Sequence, residues 1–291
     1  MGGDLLRVAL FGYPLSHSVS PAMHEAAAAA LGLRLRYELR SLQPEDLPGA
    51  VAHLRAEAWL GANVTLPHKP AMLALVDEAS PAAGRIGAVN TLYKRDGRLL
   101  GDNTDAPALL RCLDSQLGFR PPAERVLLLG AGGAARAAAV ALLESGAGEV
   151  LLWNRTAARA AALVAAVTAA LPSRGNALLL LPDEQTLVQA LPRVTLIVNA
   201  TSVGLDGKSA PIDASGLPPR ARLFDMVYGP AGTPLVAAAR AHGLLAADGL
   251  WMLVYQAAAS FVLWTGIAPD ERLMYEAALG ALRARVARGT P

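Results

Sequence analysis

The run Val126-Leu127-Leu128-Leu129-Gly130-Ala131-Gly132-Gly133-Ala134-Ala135 joins four apolar residues to a glycine turn and an alanine-rich start. The apolar tetrad reads as a buried strand, and Gly133–Glu144 as the helix opening directly behind it. Glycine at 130 permits the tight turn, and glycine at 132 lets the backbone approach a pyrophosphate. Ala135 stands where a third small residue allows close helix packing. The pyrophosphate would sit at the helix N-terminus, facing unpaired N–H groups and the positive end of the dipole. Gly130, Ala131, Gly132, Gly133 and Ala134 are therefore candidate cofactor residues. The plainer alternative is a glycine turn that holds no ligand.

The end of the second strand discriminates between dinucleotides. An NAD site would carry an acidic residue there, about 20 positions on. Val150–Trp153 reads as that strand, yet it runs into Asn154-Arg155-Thr156, with Arg159 one helical turn later. Two guanidinium groups suit a 2′-phosphate through charge-assisted bonds and stacking on adenine. Two solvated arginines at a helix start are the competing explanation. NADP is the expected cofactor.

Downstream, Thr156–Leu171 reads as a helix, and Ala177–Leu181, Thr195–Asn199, Leu223–Val227 and a segment near Leu245 as strands. This is a mononucleotide-binding pattern on at least four strands, with Pro121-Pro122 as a boundary before it. Upstream, Leu5–Phe11 is a buried strand. Ser20-Pro21 starts a helix with serine as N-cap, and Gly32 stops it. Leu33, Leu35, Tyr37 and Leu39 alternate with polar residues as in a strand, and Pro44-Glu45-Asp46 opens another helix. Ala62–Leu66 is a short strand, and Ala88–Tyr93 pairs with Arg98–Leu100 around Asp96-Gly97. The alternation predicts an α/β protein with parallel sheets: an N-terminal α/β domain, then a Rossmann-like doubly wound domain.

Composition excludes several classes. Of 291 residues, 53% are hydrophobic and 17% charged, which supplies ample core and argues against disorder. Lysine plus arginine number 26 against 24 acids, a balance that predicts no nucleic-acid surface. One cysteine, Cys112, allows no intrachain disulfide. His17, His24, His53 and His242 are scattered without metal-ligand spacing, and His68 reads as a surface or packing residue, so no metal is expected. A reducing cytoplasm fits. Gly249–Pro269 lacks charge, but Gln256, Ser260, Thr265, Gly266 and Pro269 within it favour a buried helix over a membrane span. No G-x-S-x-G elbow points to a hydrolase.

The first hundred residues concentrate polar side chains on short loops: Ser16–Ser20, Asn63–Lys69, Ala88–Thr91 and Asn103–Asp105. Hydroxyls and amides in this number suit a ligand with many hydroxyls and a carboxylate, though any one cluster reads equally as a cap or turn. Together they resemble the shikimate dehydrogenase family across nearly the whole chain. The resemblance rests on Phe11-Gly12-Tyr13-Pro14 with His17–Pro21, Asn63–Lys69, Ala88–Thr91, Asn103–Asp105 and Gly130–Ala135. It continues through Asn154–Thr156, Asn199–Gly204, Asp225–Tyr228, and Asp248–Leu250 with Gln256.

That resemblance implies NADPH-dependent reduction of 3-dehydroshikimate to shikimate, on the route to chorismate and the aromatic amino acids. It implies Lys69 and Asp105 as the catalytic pair. Ser18 and Ser20 would hold the substrate carboxylate, and Thr65, Asn90, Asp105, Tyr228 and Gln256 would surround the ring hydroxyls. Gly130–Ala134, Asn154, Arg155, Thr156, Arg159, Met226 and Gly249 would line the cofactor. Residues 1–106 with 250–291 would bind substrate and 107–249 NADP, with the active site in the inter-domain cleft. The partner implied is a small molecule, and a homodimer is the one assembly considered. Tyr13, Trp251 and Tyr255 depart from the family's pattern. They keep open a broader quinate and shikimate dehydrogenase, one using NAD included; a non-catalytic NADP-binding sensor is the alternative from another class.

Overall fold

The computed structural model describes residues 4–16 and 18–288, so His17 of the first polar loop lies outside the described residues. The described residues form two compact units, those up to 104 together with those from 254 onward, and residues 105–253.

The first unit is built on β1 (Leu6–Gly12), which is apolar on both faces because both are covered. Val8 and Leu10 pack with Leu15, Tyr37 and Trp264, while Ala9 and Phe11 pack with Leu47, Val51 and Leu54. Helix α1 (Ser20–Ala30) starts at Ser20 itself, not one residue later. The cap position falls on Val19, and Ser18 Oγ accepts the Ser20 N–H at 3.3 Å. The serine expected as a cap thus lies inside the helix, and the cap position has no side-chain hydrogen bond. Gly32, at φ +70°, closes the helix as expected.

β2 (Leu35–Ser41) follows, and the acids of Pro44–Asp46 form a single 3-10 turn ahead of α2 (Leu47–Ala56). β3 (Gly61–Val64) is central, and β4 (Glu78–Ala79) leads to α3 (Pro81–Ile86), capped by Ser80. β5 (Thr91–Arg95) and β6 (Arg98–Asp102) turn at Asp96 and Gly97, both at positive φ. The sheet order is β2-β1-β3-β5-β6-β4. The two-residue turn returns β6 antiparallel to β5, and β5 also runs against β3. This sheet is therefore mixed, with the hairpin expected around Asp96-Gly97 in place.

The second unit contains α4 (Asp105–Leu117), β7 (Arg125–Leu129), α5 (Gly133–Glu144), β8 (Glu149–Trp153), α6 (Ala157–Ala170) and β9 (Leu178–Leu180). It continues through α7 (Glu184–Ala190), β10 (Leu196–Asn199), β11 (Arg222–Asp225), α8 (Pro234–Ala241) and β12 (Leu245–Asp248). All six strands are parallel, in the order β12-β11-β10-β7-β8-β9. The order reverses between β7 and β10, which places a ligand crevice outside their carboxyl ends. β11 stops at Asp225, two residues early, because that side chain accepts the Val227 N–H at 3.0 Å and turns the backbone.

Helix α9 (Leu250–Thr265) leads back to the first unit, where α10 (Glu271–Ala287) packs on α1. Among the described residues no helix is long and apolar enough to cross a membrane.

Candidate active site

The crevice of the second unit is formed by the glycine turn. Gly130 has φ +111°, and a Cβ there would lie 2.9 Å from the Ala200 carbonyl oxygen at the end of β10. Only glycine lets the two strand ends approach so closely. Behind it α5 opens with Gly132 in the cap position, no side-chain cap and no acid in its first turn. Its first N–H groups therefore face the crevice without a side-chain acceptor, which favours an anion. Ala135 is fully buried, as the close-packing role requires.

At the end of β8, Asn154 Nδ2 donates to the Thr156 carbonyl at 2.9 Å and shapes the turn into α6. Arg155 and Arg159 are exposed, and neither makes an ion pair with a described residue. No carboxylate stands at this strand end. The arrangement fits a 2′-phosphate and lacks the acidic residue that pairs with a free 2′-hydroxyl. Across the switch point, buried Asn199 accepts from the Thr201 N–H (3.0 Å) and hydroxyl (2.7 Å) and donates to Asp225 at 2.8 Å. Asp225 also accepts from Thr233 Oγ1 at 2.7 Å. Burial pushes the Asp225 carboxyl up, and the bonds from Thr233, Val227 and Asn199 oppose this. Met226 and Gly249 meet directly: a Cβ at 249 would lie 2.2 Å from the Met226 carbonyl oxygen. Tyr228 is half-buried two residues beyond Met226.

In the first unit, the polar loops gather at strand ends. Ser18 and Ser20 are adjacent through the bond from the Ser20 N–H, and Arg285 of α10 donates to the Ser18 carbonyl at 2.7 Å. Thr65 and Lys69 are half-buried, and the Lys69 carbonyl accepts the Val89 N–H at 2.9 Å. This ties the lysine loop to the segment carrying Asn90. His68 is 1% exposed, and its Nε2 donates to the Leu42 carbonyl at 2.9 Å, so it is a packing residue. Asn90 donates to Thr104 Oγ1 (2.9 Å) and accepts the Thr104 N–H (2.8 Å). That bond fixes the residue before Asp105, which is 8% exposed at the start of α4. Gln256 is half-buried on α9.

Sequence spacing assigned no role to Asn199, Thr233, Arg285, Tyr37, Asn63, Thr91 or Ser260. The first two hold the β10 and β11 loops, and the last four form one buried network with Asn90 and Thr104. Asn199, Asn63 and Thr91 lie inside motifs that stood out in the sequence, which was the available signal. Among the described residues no cluster of His, Cys, Asp or Glu could hold a metal.

One unit with six parallel strands and an uncapped glycine turn, and another with loops rich in hydroxyls and amides, define a nicotinamide-dependent dehydrogenase of the two-unit α/β type. The family description "Shikimate dehydrogenase substrate binding domain" matches residues 10–92, "Shikimate / quinate 5-dehydrogenase" residues 116–203, and "Shikimate 5'-dehydrogenase C-terminal domain" residues 249–279. The chain belongs to the shikimate dehydrogenase family.

It is 45% identical to a shikimate dehydrogenase (NADP(+)) of Thermus thermophilus, over 96% of this chain and 99% of that one. The crystal structure of shikimate 5-dehydrogenase from Thermus thermophilus in complex with NADP(H) and shikimate is 44% identical. The match covers 95% of this chain and 100% of that one, with a TM-score of 0.84. Quinate dehydrogenase from Corynebacterium glutamicum in complex with NAD is 32% identical, with a TM-score of 0.87 over 96% of this chain and 100% of that one.

Proposed function

We propose that this chain catalyses the reversible NADPH-dependent reduction of 3-dehydroshikimate to shikimate. In this reading residues 1–106 with 250–291 bind the substrate and residues 107–249 the NADP. The observation that carries it is the pairing, in a member of this family, of two kinds of site. One is an uncapped glycine turn next to Arg155 and Arg159. The other is the set of hydroxyl and amide loops around Lys69 and Asn90.

The dinucleotide would lie with its pyrophosphate on Gly130–Ala134 and its 2′-phosphate against Asn154, Arg155, Thr156 and Arg159, with Met226 and Gly249 along the remainder. Bound there, the reduced nicotinamide supplies a hydride to the substrate's keto carbon. Lys69 Nζ gives a proton to the oxygen on which negative charge develops, and takes it back in the oxidising direction. The Asp105 carboxylate orients that ammonium and accepts a hydrogen bond from the neighbouring ring hydroxyl. Ser18 and Ser20 donate to the substrate carboxylate, while Thr65, Asn90, Tyr228 and Gln256 hold the ring. The enzyme works in the cytoplasm on this small molecule, alone or as a homodimer.

The test pairs shikimate or quinate with NADP or NAD and follows the reduced-nicotinamide absorbance. Shikimate with NADP is expected to give the highest kcat/KM of the four mixtures. Faster turnover of quinate with NAD would replace this reading with the broader quinate dehydrogenase, and absence of turnover in all four would refute a catalytic role.

A further inference from the structure

Ser260 lies one turn beyond Gln256 on α9 and is fully buried. Its hydroxyl donates to the Gln256 carbonyl at 2.9 Å and accepts from Asn63 Nδ2 at 2.9 Å. It also lies 2.8 Å from Thr91 Oγ1 and 3.4 Å from Thr104 Oγ1. Ser260 has one proton. Thr91 likewise has one proton and lies within reach of two acceptors, Asn90 Oδ1 at 3.0 Å and Ser260 Oγ at 2.8 Å. Asn90 Oδ1 also accepts the Thr104 N–H at 2.8 Å. The Asn63 amide is oriented by the same logic, since its Oδ1 accepts the Tyr37 hydroxyl at 2.9 Å.

One hydroxyl thus joins four segments that sequence separates widely. They are the end of β3 two residues before Thr65, the Asn90-Thr91 start of β5, Thr104 immediately before Asp105, and the α9 turn bearing Gln256. A buried hydroxyl so fully bonded on one helix is more than a filler for the core, because each bond ends on a segment that carries a proposed substrate ligand. Its back-bond ends on the backbone carbonyl of Gln256 itself, and bonds of this kind bend helices locally.

We propose that Ser260 is a positioning residue for the substrate: it holds the Gln256 turn and the Thr104–Asp105 segment in register with Asn63, Asn90 and Thr91. The proposal rests on the shikimate dehydrogenase activity proposed for the chain. It assigns Thr91 a share in the same task, as the hydroxyl that links Ser260 to Asn90.

The experiment uses the full chain with Ser260→Ala, Thr91→Val and Thr91→Ser, and measures steady-state rates with shikimate and NADP varied separately. Ser260→Ala and Thr91→Val should each lower kcat/KM for shikimate about tenfold, leaving the KM for NADP within twofold. Thr91→Ser, which keeps the hydroxyl, should stay within twofold on both. Equal shifts in both KM values, unmoved shikimate kinetics, or failure of both hydroxyl-deleting variants to fold would overturn the proposal and leave the network structural. The unsubstituted chain separates the two readings. Without shikimate turnover the function itself fails, and this inference with it; turnover in the parent with unmoved variants removes this inference alone.

Discussion

His24 is fully buried on α1, and neither ring nitrogen has a hydrogen-bond partner among the described residues. Its imidazole stacks on Tyr37 at 4.7 Å and 10°, with Trp264 at 5.2 Å and Phe261 at 6.3 Å. Burial holds its pKa down at about 3, against an ordinary value of 6.5. The folded form therefore refuses a proton that the unfolded chain takes up below pH 6.5. Stability attributable to this residue is intact above pH 6.5 and is lost progressively as pH falls toward 3. Each pH unit in that window is worth about 1.4 kcal/mol, so the loss at pH 5 is about 2 kcal/mol. In melting temperature this corresponds to about 4–8 °C.

His24→Leu removes the titration with a side chain of similar size. At pH 8 the variant should melt close to the parent, because lost ring stacking is offset by removing two unpartnered polar atoms. At pH 5 the variant should melt several degrees above the parent. Calorimetric scans of both proteins from pH 8 to pH 5 provide the check. Parallel curves, with a constant gap across that range, would refute the assignment of acid sensitivity to this buried ring.

Lys69→Ala and Asp105→Asn should each lower kcat at least about 10²-fold with circular dichroism unchanged; near-normal turnover in either would remove that residue from the catalytic pair. Replacing Arg155 and Arg159 together with serine should raise the KM for NADP tenfold or more and leave that for NAD within twofold, since a charge-assisted phosphate contact is lost on one cofactor only. Equal effects on both cofactors would mean the arginines are merely solvated. Gly249→Ala would set a methyl 2.2 Å from the Met226 carbonyl oxygen, at a cost of about 1–3 kcal/mol from overpacking; the melting temperature should fall and the KM for NADP rise, and an unmoved KM would detach this contact from the cofactor.

The parallel unit was legible because its signals are local. Val126–Leu129, the glycine turn and the helix to Glu144 fall where their residues predict, since strand, turn and cap chemistry all act within a few positions. The first sheet was less legible. Strand β4 has only two residues, and the direction of β5 depends on pairing with a strand almost thirty positions earlier. Ser20 satisfied the cap pattern yet lies within the helix, because Ser18 Oγ takes the Ser20 N–H and the helix begins one residue sooner. The Asn63–Ser260 bond spans 197 positions, beyond any reading of spacing. Ser260 counted in the sequence only as an argument against a membrane span. It is in fact where α9 meets the ends of β3 and β5.

The first unit is interrupted in sequence: Trp264, which closes one face of β1 and donates to the Leu92 carbonyl at 2.8 Å, is synthesised after the entire parallel unit. On a translating ribosome, therefore, all six strands of the first sheet emerge before the parallel unit, but α9 and α10, which pack on that first unit, emerge last. A stop codon just before α9 would leave every strand of the parallel sheet in place and remove Trp264 from the face of β1, so the damage would fall on the start of the protein.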